Sequence, residues 1–410
     1  MRPDELAAHQ LRRLNALAAE ILPHNRFYAE KLSGVRWPLE SIDRLRVLPY
    51  TTKDELLSGE QSPQRAANLT YPPERYVHFH QTSGSHGRPL VVLDTPADWQ
   101  WWVDTWQFVL DTAELDPSDT VLMAFSFGPF IGFWTAYEAA VERGCLVVPG
   151  GGVGTRARLQ LIRTAAVTAV FCTPSYALHL AETSAADHMD VAGLPVRKLI
   201  LAGEPGGSMP SVRRRIEQAW RADVVDHAGA TEVGPWGYGN TAGTGLHIVE
   251  TEFIAEFLDV QTGQPAADGQ LAELILTSLG RTGSPVIRYR TGDLVRPRRR
   301  TDGSNRFVFL EGGVLGRADD MLIVRGVNVY PTAVEEVLRG FAEVDEYRLT
   351  VTKAGEMDHL AIEIEDRLGQ PRRVADELQL RLGLKVEVRT APPGSLPRFE
   401  GKGRRLVDQR

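Results

Sequence analysis

"AVFCTPS" (169–175) and "KLILAGEP" (198–205) are short apolar runs that end in Thr-Pro-Ser and Gly-Glu-Pro, separated by a stretch of helical pattern. Parallel strands covered on both faces read as unbroken apolar runs, and a helix crosses between them. "TVLMAFSF" (120–127) and "CLVVPGG" (145–151) repeat the plan, so the fold class is α/β, with sheets built from βαβ units. In such open sheets ligands collect at the carboxyl ends of the strands, where these runs turn to Gly, Pro, Ser and Thr. Further along, "ELILTSL" and "PVIRYRTGDLVRP" have the character of antiparallel strands, which predicts a β-rich subdomain over residues 245–315. Beyond "EGGVLGRADD", "TAVEEVLRGF" and "RRVADELQLRLG" read as helices, and "EYRLTVTK" and "HLAIEIED" as strands. Together they predict a small α+β unit at the carboxyl end.

With 410 residues, 43% of them hydrophobic, the chain can bury a large core in two or three domains. Its formal charge of −7 gives no general attraction to nucleic acid or to an anionic membrane. No apolar run reaches the roughly 18 residues of a membrane span, and "MRPDELAAHQ" is acidic and polar where a signal peptide is basic and then apolar. The expected compartment is the cytoplasm. Cys145 and Cys172 lie in apolar runs without metal-ligand or CxxC spacing, so buried, reduced thiols are expected.

"QTSGSHGRP" (81–89) gathers two hydroxyls, two glycines and an arginine. Glycines let the backbone approach a ligand with its N–H groups free, hydroxyls add donors and a cation offsets charge, a combination that suits polyphosphate. The loop is not the GxxxxGK[ST] type, and by itself a turn between two strands explains it equally well. Downstream stand "HAGATEVGPWG" (227–237), "YRTGDL" (289–294), "GRADDMLIVRGVNVYP" (316–331) and "PRFEGKGRR" (397–405).

These five segments, in this order, resemble the adenylate-forming superfamily of acyl-CoA and aryl-CoA synthetases. "NRFYAEKLSG" (25–34), "LPYTTKDEL" (48–56) and the 316–331 segment resemble its phenylacetate–CoA ligase branch. The resemblance implies a large amino-terminal domain of several subdomains, residues 1–317, and a mobile α+β lid, residues 318–410, hinged at Asp319. It implies ATP, Mg²⁺ and CoA as cofactor and substrates. By resemblance Thr82, Ser83, Gly84, Ser85 and Gly87 wrap the β- and γ-phosphates with Arg88 beside them. His86 and Arg88 depart from the commoner TSGTTGKP, and arginine alters the fork geometry at that position. Glu232 is expected to hold Mg²⁺, Thr231 to reach the α-phosphate, and Gly203, Glu204, Pro205, Asp226 and His227 to border the adenine. Asp293 accepts from the ribose hydroxyls, and Arg317 sits near ribose and phosphate. Lys402 is the lid cation that meets the carboxylate and the α-phosphate as charge develops. Arg325 and Gly326, in "RGVNV" (325–329), face CoA.

Other features read as structural. Trp99, Trp102 and Trp106 fall at helical spacing, which predicts one buried face. "HFH" (78–80) lacks a third metal ligand, and "RPRRR" (296–300) is a solvated basic turn or a contact for the CoA 3′-phosphate. For the acyl pocket, "FSFGPFIGFW" (125–134) offers Phe127, Phe130 and Trp134, with Tyr176, Ala228 and Gly229 expected nearby. No aspartate stands in that stretch to pair an α-amino group, which favours an aromatic acid. The expected activity is formation of an aryl-AMP and its transfer to CoA. A carrier-protein thiol, an amine or nitrite is the alternative acceptor, and a nucleotide-binding protein without turnover is the rival of another class. A carrier-protein partner and a homodimer both stay open.

Overall fold

The computed structural model describes residues 1–57, 65–82, 89–240, 242–299, 305–324, 327–354, 357–383, 385–399 and 405–410. Its centre is a nine-stranded sheet. Five strands run parallel in the spatial order Leu146–Pro149, Thr120–Met123, Ala169–Cys172, Lys198–Leu201 and Asp223–Ala230. The sheet continues antiparallel through Gly234–Gly239, Gly245–Ile248, Phe309–Glu311 and Pro297–Arg298.

The apolar runs at 120–123, 169–172 and 198–201 lie inside this sheet because both of their faces are covered, whereas Leu146–Pro149 is its edge, with Leu146 exposed. Ala169 and Phe171 enter one core cluster, while Val170 and Cys172 enter another on the opposite face. This is the period-two alternation of a strand. The Thr-Pro that ends the run starts the next helix, Pro174–Ala186: Thr173 is its N-cap and accepts from the Tyr176 N–H. Trp99, Trp102 and Trp106 are all buried on the helix Pro96–Thr112 and belong to the first cluster. Cys145 and Cys172 are buried and free, and burial pushes the Cys172 thiol up.

The predicted β-rich subdomain is divided between two sheets. Residues 245–248, 297–298 and 309–311 extend the central sheet. Phe253–Asp259, Ala272–Ser278, Tyr289–Val295 and Gly316–Arg317 form a second, antiparallel sheet. Period-two patterning identifies strands but carries no information about which sheet each one joins. The amino-terminal motifs brace this second sheet. The Tyr28 hydroxyl lies 3.1 Å from Thr51 Oγ1 and accepts from the Ile287 N–H at 2.8 Å, two residues before Tyr289. Thr51 Oγ1 donates to the Ile287 carbonyl at 2.7 Å.

From Leu322 onward a third sheet takes over, with the helices Pro331–Arg339 and Pro371–Leu382 packed around a core cluster of its own. The long antiparallel pair Val344–Ala354 and Met357–Asp366 is its spine, and Leu406–Asp408 adds a parallel strand to the first of these. The α+β character expected for this region is present.

Candidate functional site

The carboxyl end of Asp223–Ala230 lies between the parallel strand Lys198–Leu201 and the antiparallel strand Gly234–Gly239. It carries Asp226, His227, Ala228 and Gly229 side by side. The Asp226 carboxylate is 8% exposed and accepts from Ser208 Oγ at 2.6 Å and from the His227 N–H at 3.1 Å. Burial pushes its pKa up to about 6, more than these hydrogen bonds pull it down. The backbone at Gly207 approaches so closely that a Cβ there would lie 2.4 Å from Asp226 Oδ1. His227 Nδ1 is 2.7 Å from the Gly237 carbonyl, which can only accept, so Nδ1 carries the proton and Nε2 the lone pair. Burial holds its pKa down at about 3, and its ring centroid lies 4.0 Å from that of Trp106. Glu204, in the turn after Lys198–Leu201, accepts from the Ser175 N–H at 2.7 Å.

Thr231 and Glu232 follow in the turn between the two strands. The Thr231 carbonyl accepts from Arg281 Nη1 at 2.8 Å, and Arg281 is fully buried and paired to Asp94 at 2.6 Å. Glu232 Oε1 accepts from the Tyr289 hydroxyl at 2.8 Å. Burial, reinforced by that carboxylate, raises the Tyr289 phenol far above its ordinary value.

Asp293 lies four residues along the same strand as Tyr289 and stands in register opposite Arg317. Arg317 Nη1 donates to Asp293 Oδ1 at 3.3 Å, and its Nε donates to Asp319 Oδ1 at 2.9 Å. Burial opposes the Arg317 charge, but Asp293 and Asp319 together raise its pKa above the ordinary value. Gly292, at φ +75°, lets the chain turn here, and a Cβ there would also lie 2.9 Å from Arg317 Nη2.

The aromatic segment 125–134 joins this end of the sheet. The Phe127 ring lies 4.4 Å from Phe125 and 4.7 Å from Trp134, and Trp134 Nε1 donates to the Gly128 carbonyl at 3.2 Å. Phe127, Trp134 and Ala228 pack against the same core cluster, and Phe130 is 41% exposed. Tyr176 is not brought to them. It is fully buried in the cluster on the opposite face of the sheet, its hydroxyl 2.6 Å from Arg158 Nη1. It occupies the inward face of the helix Pro174–Ala186, a direction its position in the sequence does not disclose.

Thr82 closes the base of its loop, its N–H donating to the Leu90 carbonyl while its Oγ1 accepts from the Leu90 N–H. The neighbouring Gln81 N–H donates to the Pro129 carbonyl in the aromatic segment. Ser83, Gly84, Ser85, Gly87, Arg88, Arg325, Gly326 and Lys402 lie outside the described residues. His78 and His80 stack against Trp99, with His78 at 3.7 Å, while Phe79 points outward at 53% exposure. Arg298, in the basic turn, pairs with Glu311 and Asp268.

Sequence reasoning missed Ser208, Arg281 and Tyr289 as partners of the expected residues. Tyr289 stands inside the "YRTGDL" motif and could have been found there, but Arg281 and Ser208 meet the site only through the fold.

Residues 36–280 match the family described as AMP-binding enzyme, and residues 326–410 match the AMP-binding enzyme C-terminal domain. The chain is 32% identical to phenylacetate-coenzyme A ligase of Pseudomonas putida, covering 99% of this chain and 95% of that protein. Identity to the phenylacetate-coenzyme A ligase of Escherichia coli (strain K12) is also 32%, with the same coverage of both. Among solved structures, 2-hydroxyisobutyryl-CoA ligase in the postadenylation state superposes with a TM-score of 0.93 at 26% identity, covering all of this chain and 91% of that one. The same ligase in the thioesterification state, with CoA, gives a TM-score of 0.74 over 100% and 90% of the two chains.

Proposed function

The chain belongs to the AMP-binding enzymes, and from that membership and the geometry of the site we propose that it activates an aromatic carboxylic acid with ATP. The products of the first step are aryl-AMP and pyrophosphate; the CoA thiol then attacks the carbonyl carbon of the anhydride, and AMP leaves. One observation carries the reading. The strand Tyr289–Val295 brings Tyr289 to Glu232 and Asp293 to Arg317, so a cation-binding carboxylate and a ribose-binding carboxylate are oriented by one rigid element.

In this reading Asp226, His227 and the turn Gly203, Glu204, Pro205 border the adenine. His227 is neutral and suits an uncharged heterocycle, and Asp293 accepts from the ribose hydroxyls while Arg317 stands near ribose and phosphate. Thr231 reaches the α-phosphate, and Thr82, Ser83, Gly84, Ser85, Gly87 and Arg88 wrap the β- and γ-phosphates. Lys402 neutralises charge as the carboxylate attacks, and Arg325 and Gly326 face CoA. The division between body and lid is taken at 317/318 with Asp319 as hinge.

A Mg²⁺ ion fits Glu232. Among the described residues Tyr289 is the one hydrogen-bonding partner of that carboxylate, and no cluster of three or more His, Cys, Asp or Glu side chains competes for a metal. The remaining ligands would be phosphate oxygens and water, as hard cations require. When bound, the ion offsets charge on the phosphates.

The aromatic cluster of Phe125, Phe127 and Trp134, together with the neutral His227, supports a flat, apolar acid. The two ligases named for phenylacetate support CoA over an amine, a carrier-protein thiol or nitrite. Pyrophosphate exchange into ATP across benzoates, phenylacetates, 2-hydroxy acids, α-amino acids and fatty acids tests the first step. Exchange confined to aliphatic or α-amino acids overturns the aromatic assignment, and AMP release that does not depend on CoA overturns the acceptor.

A further inference from the structure

Arg405 stands three residues beyond Lys402 and is 9% exposed. Two of its guanidinium nitrogens hold Glu346 of the carboxy-terminal domain, Nε at 2.6 Å and Nη2 at 3.0 Å, and the third, Nη1, crosses to the amino-terminal domain and donates to Ser175 Oγ at 2.8 Å. Ser175 lies in the first turn of the helix Pro174–Ala186. Its N–H is taken by Glu204 at 2.7 Å, in the turn Gly203, Glu204, Pro205 proposed above to border the adenine. A cation at the amino end of a helix works against the helix dipole, so this contact is a poor way to add stability. Glu346 and Glu335 offset the charge, and the planar fork fixes direction as an ammonium could not. Two weaker links flank it, Arg215 Nη1 donating to the Val344 carbonyl at 3.1 Å and Arg398 at 3.7 Å from Glu182.

Resting on the adenylation reading above, we infer that Arg405 is a positioning residue for the first half-reaction. Through Ser175 and Glu204 it locks the lid's terminal segment, to which Lys402 belongs in the sequence, onto the nucleotide turn. The overall similarity to the postadenylation state rather than the thioesterification state of 2-hydroxyisobutyryl-CoA ligase fits a lid caught in that orientation. The lock must open for the second half-reaction, so its loss should fall on one step alone.

The test compares acyl-AMP formation with thioester formation from supplied acyl-AMP. Ser175→Ala removes the acceptor and leaves the lid's own contacts whole, which guards against a variant that fails to fold. Ser175→Ala and Arg405→Ala are each expected to lower the kcat of adenylation by about 10-fold, the scale of one hydrogen bond to a charged group, with the KM for ATP unchanged. Thioester formation holds. The double variant should be no worse than the weaker single one, and Arg405→Lys should not restore the rate because an ammonium lacks the fork. Equal losses in both steps, additive losses, or an unaffected Ser175→Ala overturn the inference.

Lid orientation is read independently of activity by the distance between spin labels at Gln160→Cys and Leu380→Cys, both exposed sites, while native Cys145 and Cys172 are buried. Loss of Ser175 Oγ should broaden that distribution, and an unchanged one counts against the lock. If no acid supports exchange even in the parent protein, the adenylation reading fails, and the label distances still decide whether the contact holds the lid.

Discussion

Asp226 with His227, and Asp293 with Arg317, both lie in β-strands, yet their environments drive charge in opposite directions. Asp226 and His227 are buried without a counterion in hydrogen-bonding contact among the described residues, and burial moves both toward neutrality, the carboxyl up to about 6 and the imidazole down to about 3. Asp293 is paired with Arg317, which Asp319 also holds, and there the guanidinium charge is reinforced despite burial. One region suits an uncharged ring and the other hydroxyls and phosphate. Pairing, more than depth, decides which.

The largest effect should come from breaking the charged region. Asp293→Ala removes the proposed ribose acceptor and one of the two carboxylates that hold Arg317, and two charge-assisted hydrogen bonds at about 1.5–3 kcal/mol each predict a fall of about 10³-fold in kcat/KM for ATP in pyrophosphate exchange. A change below tenfold would show that Asp293 does not meet the nucleotide. Asp319→Pro fixes φ at the expected hinge and should slow acyl transfer to CoA by about 10²-fold while sparing adenylation. Asp319→Ala separates the lost carboxylate from the stiffened backbone, and single-turnover rates that match in the two variants would move the pivot elsewhere. Tyr289→Phe deletes one hydrogen bond to Glu232 and should cost about tenfold in adenylation with thioester formation intact; loss in both steps would mean that Tyr289 serves only the core.

The smallest effect sharpens the neutral region. Asp226 has a folded pKa of about 6 against an ordinary 3.8, so the cost of burying its charge appears as pH rises from about 4 to about 6 and is complete above. His227 runs the other way: its contribution is whole above the ordinary 6.5 and is lost as pH falls toward about 3. Asp226→Asn should therefore gain on the parent protein between pH 4 and 6, on the order of 3 kcal/mol, and leave the acid sensitivity that belongs to His227. A difference in Tm that stays constant between pH 4.5 and 7 would mean that Asp226 is ionised throughout.

Much of this could be read along the chain. Three of the four apolar runs became interior parallel strands covered on both faces, the fourth, Leu146–Pro149, became the exposed edge of the sheet, and the Thr-Pro after Cys172 became a helix start because its chemistry is local. Asp226, His227, Glu232 and Asp293 could be put forward as candidates because each stands in a compact motif.

What the sequence determined by itself was therefore local: strand type, helix starts, the α+β character of the carboxyl end and the residue types of the site. The tertiary structure alone decided which partner each site residue meets. Arg281 joins Asp94 to the Thr231 carbonyl, Tyr289 reaches Glu232, and Tyr176 turns into the core beneath the opposite face. Asp94 and Arg281 are nearly two hundred positions apart, and which face a helix buries depends on the sheet beneath it. Periodicity fixes a residue's direction relative to its own element, whereas contact between elements depends on how their buried faces pack, and that is settled only when the whole core closes.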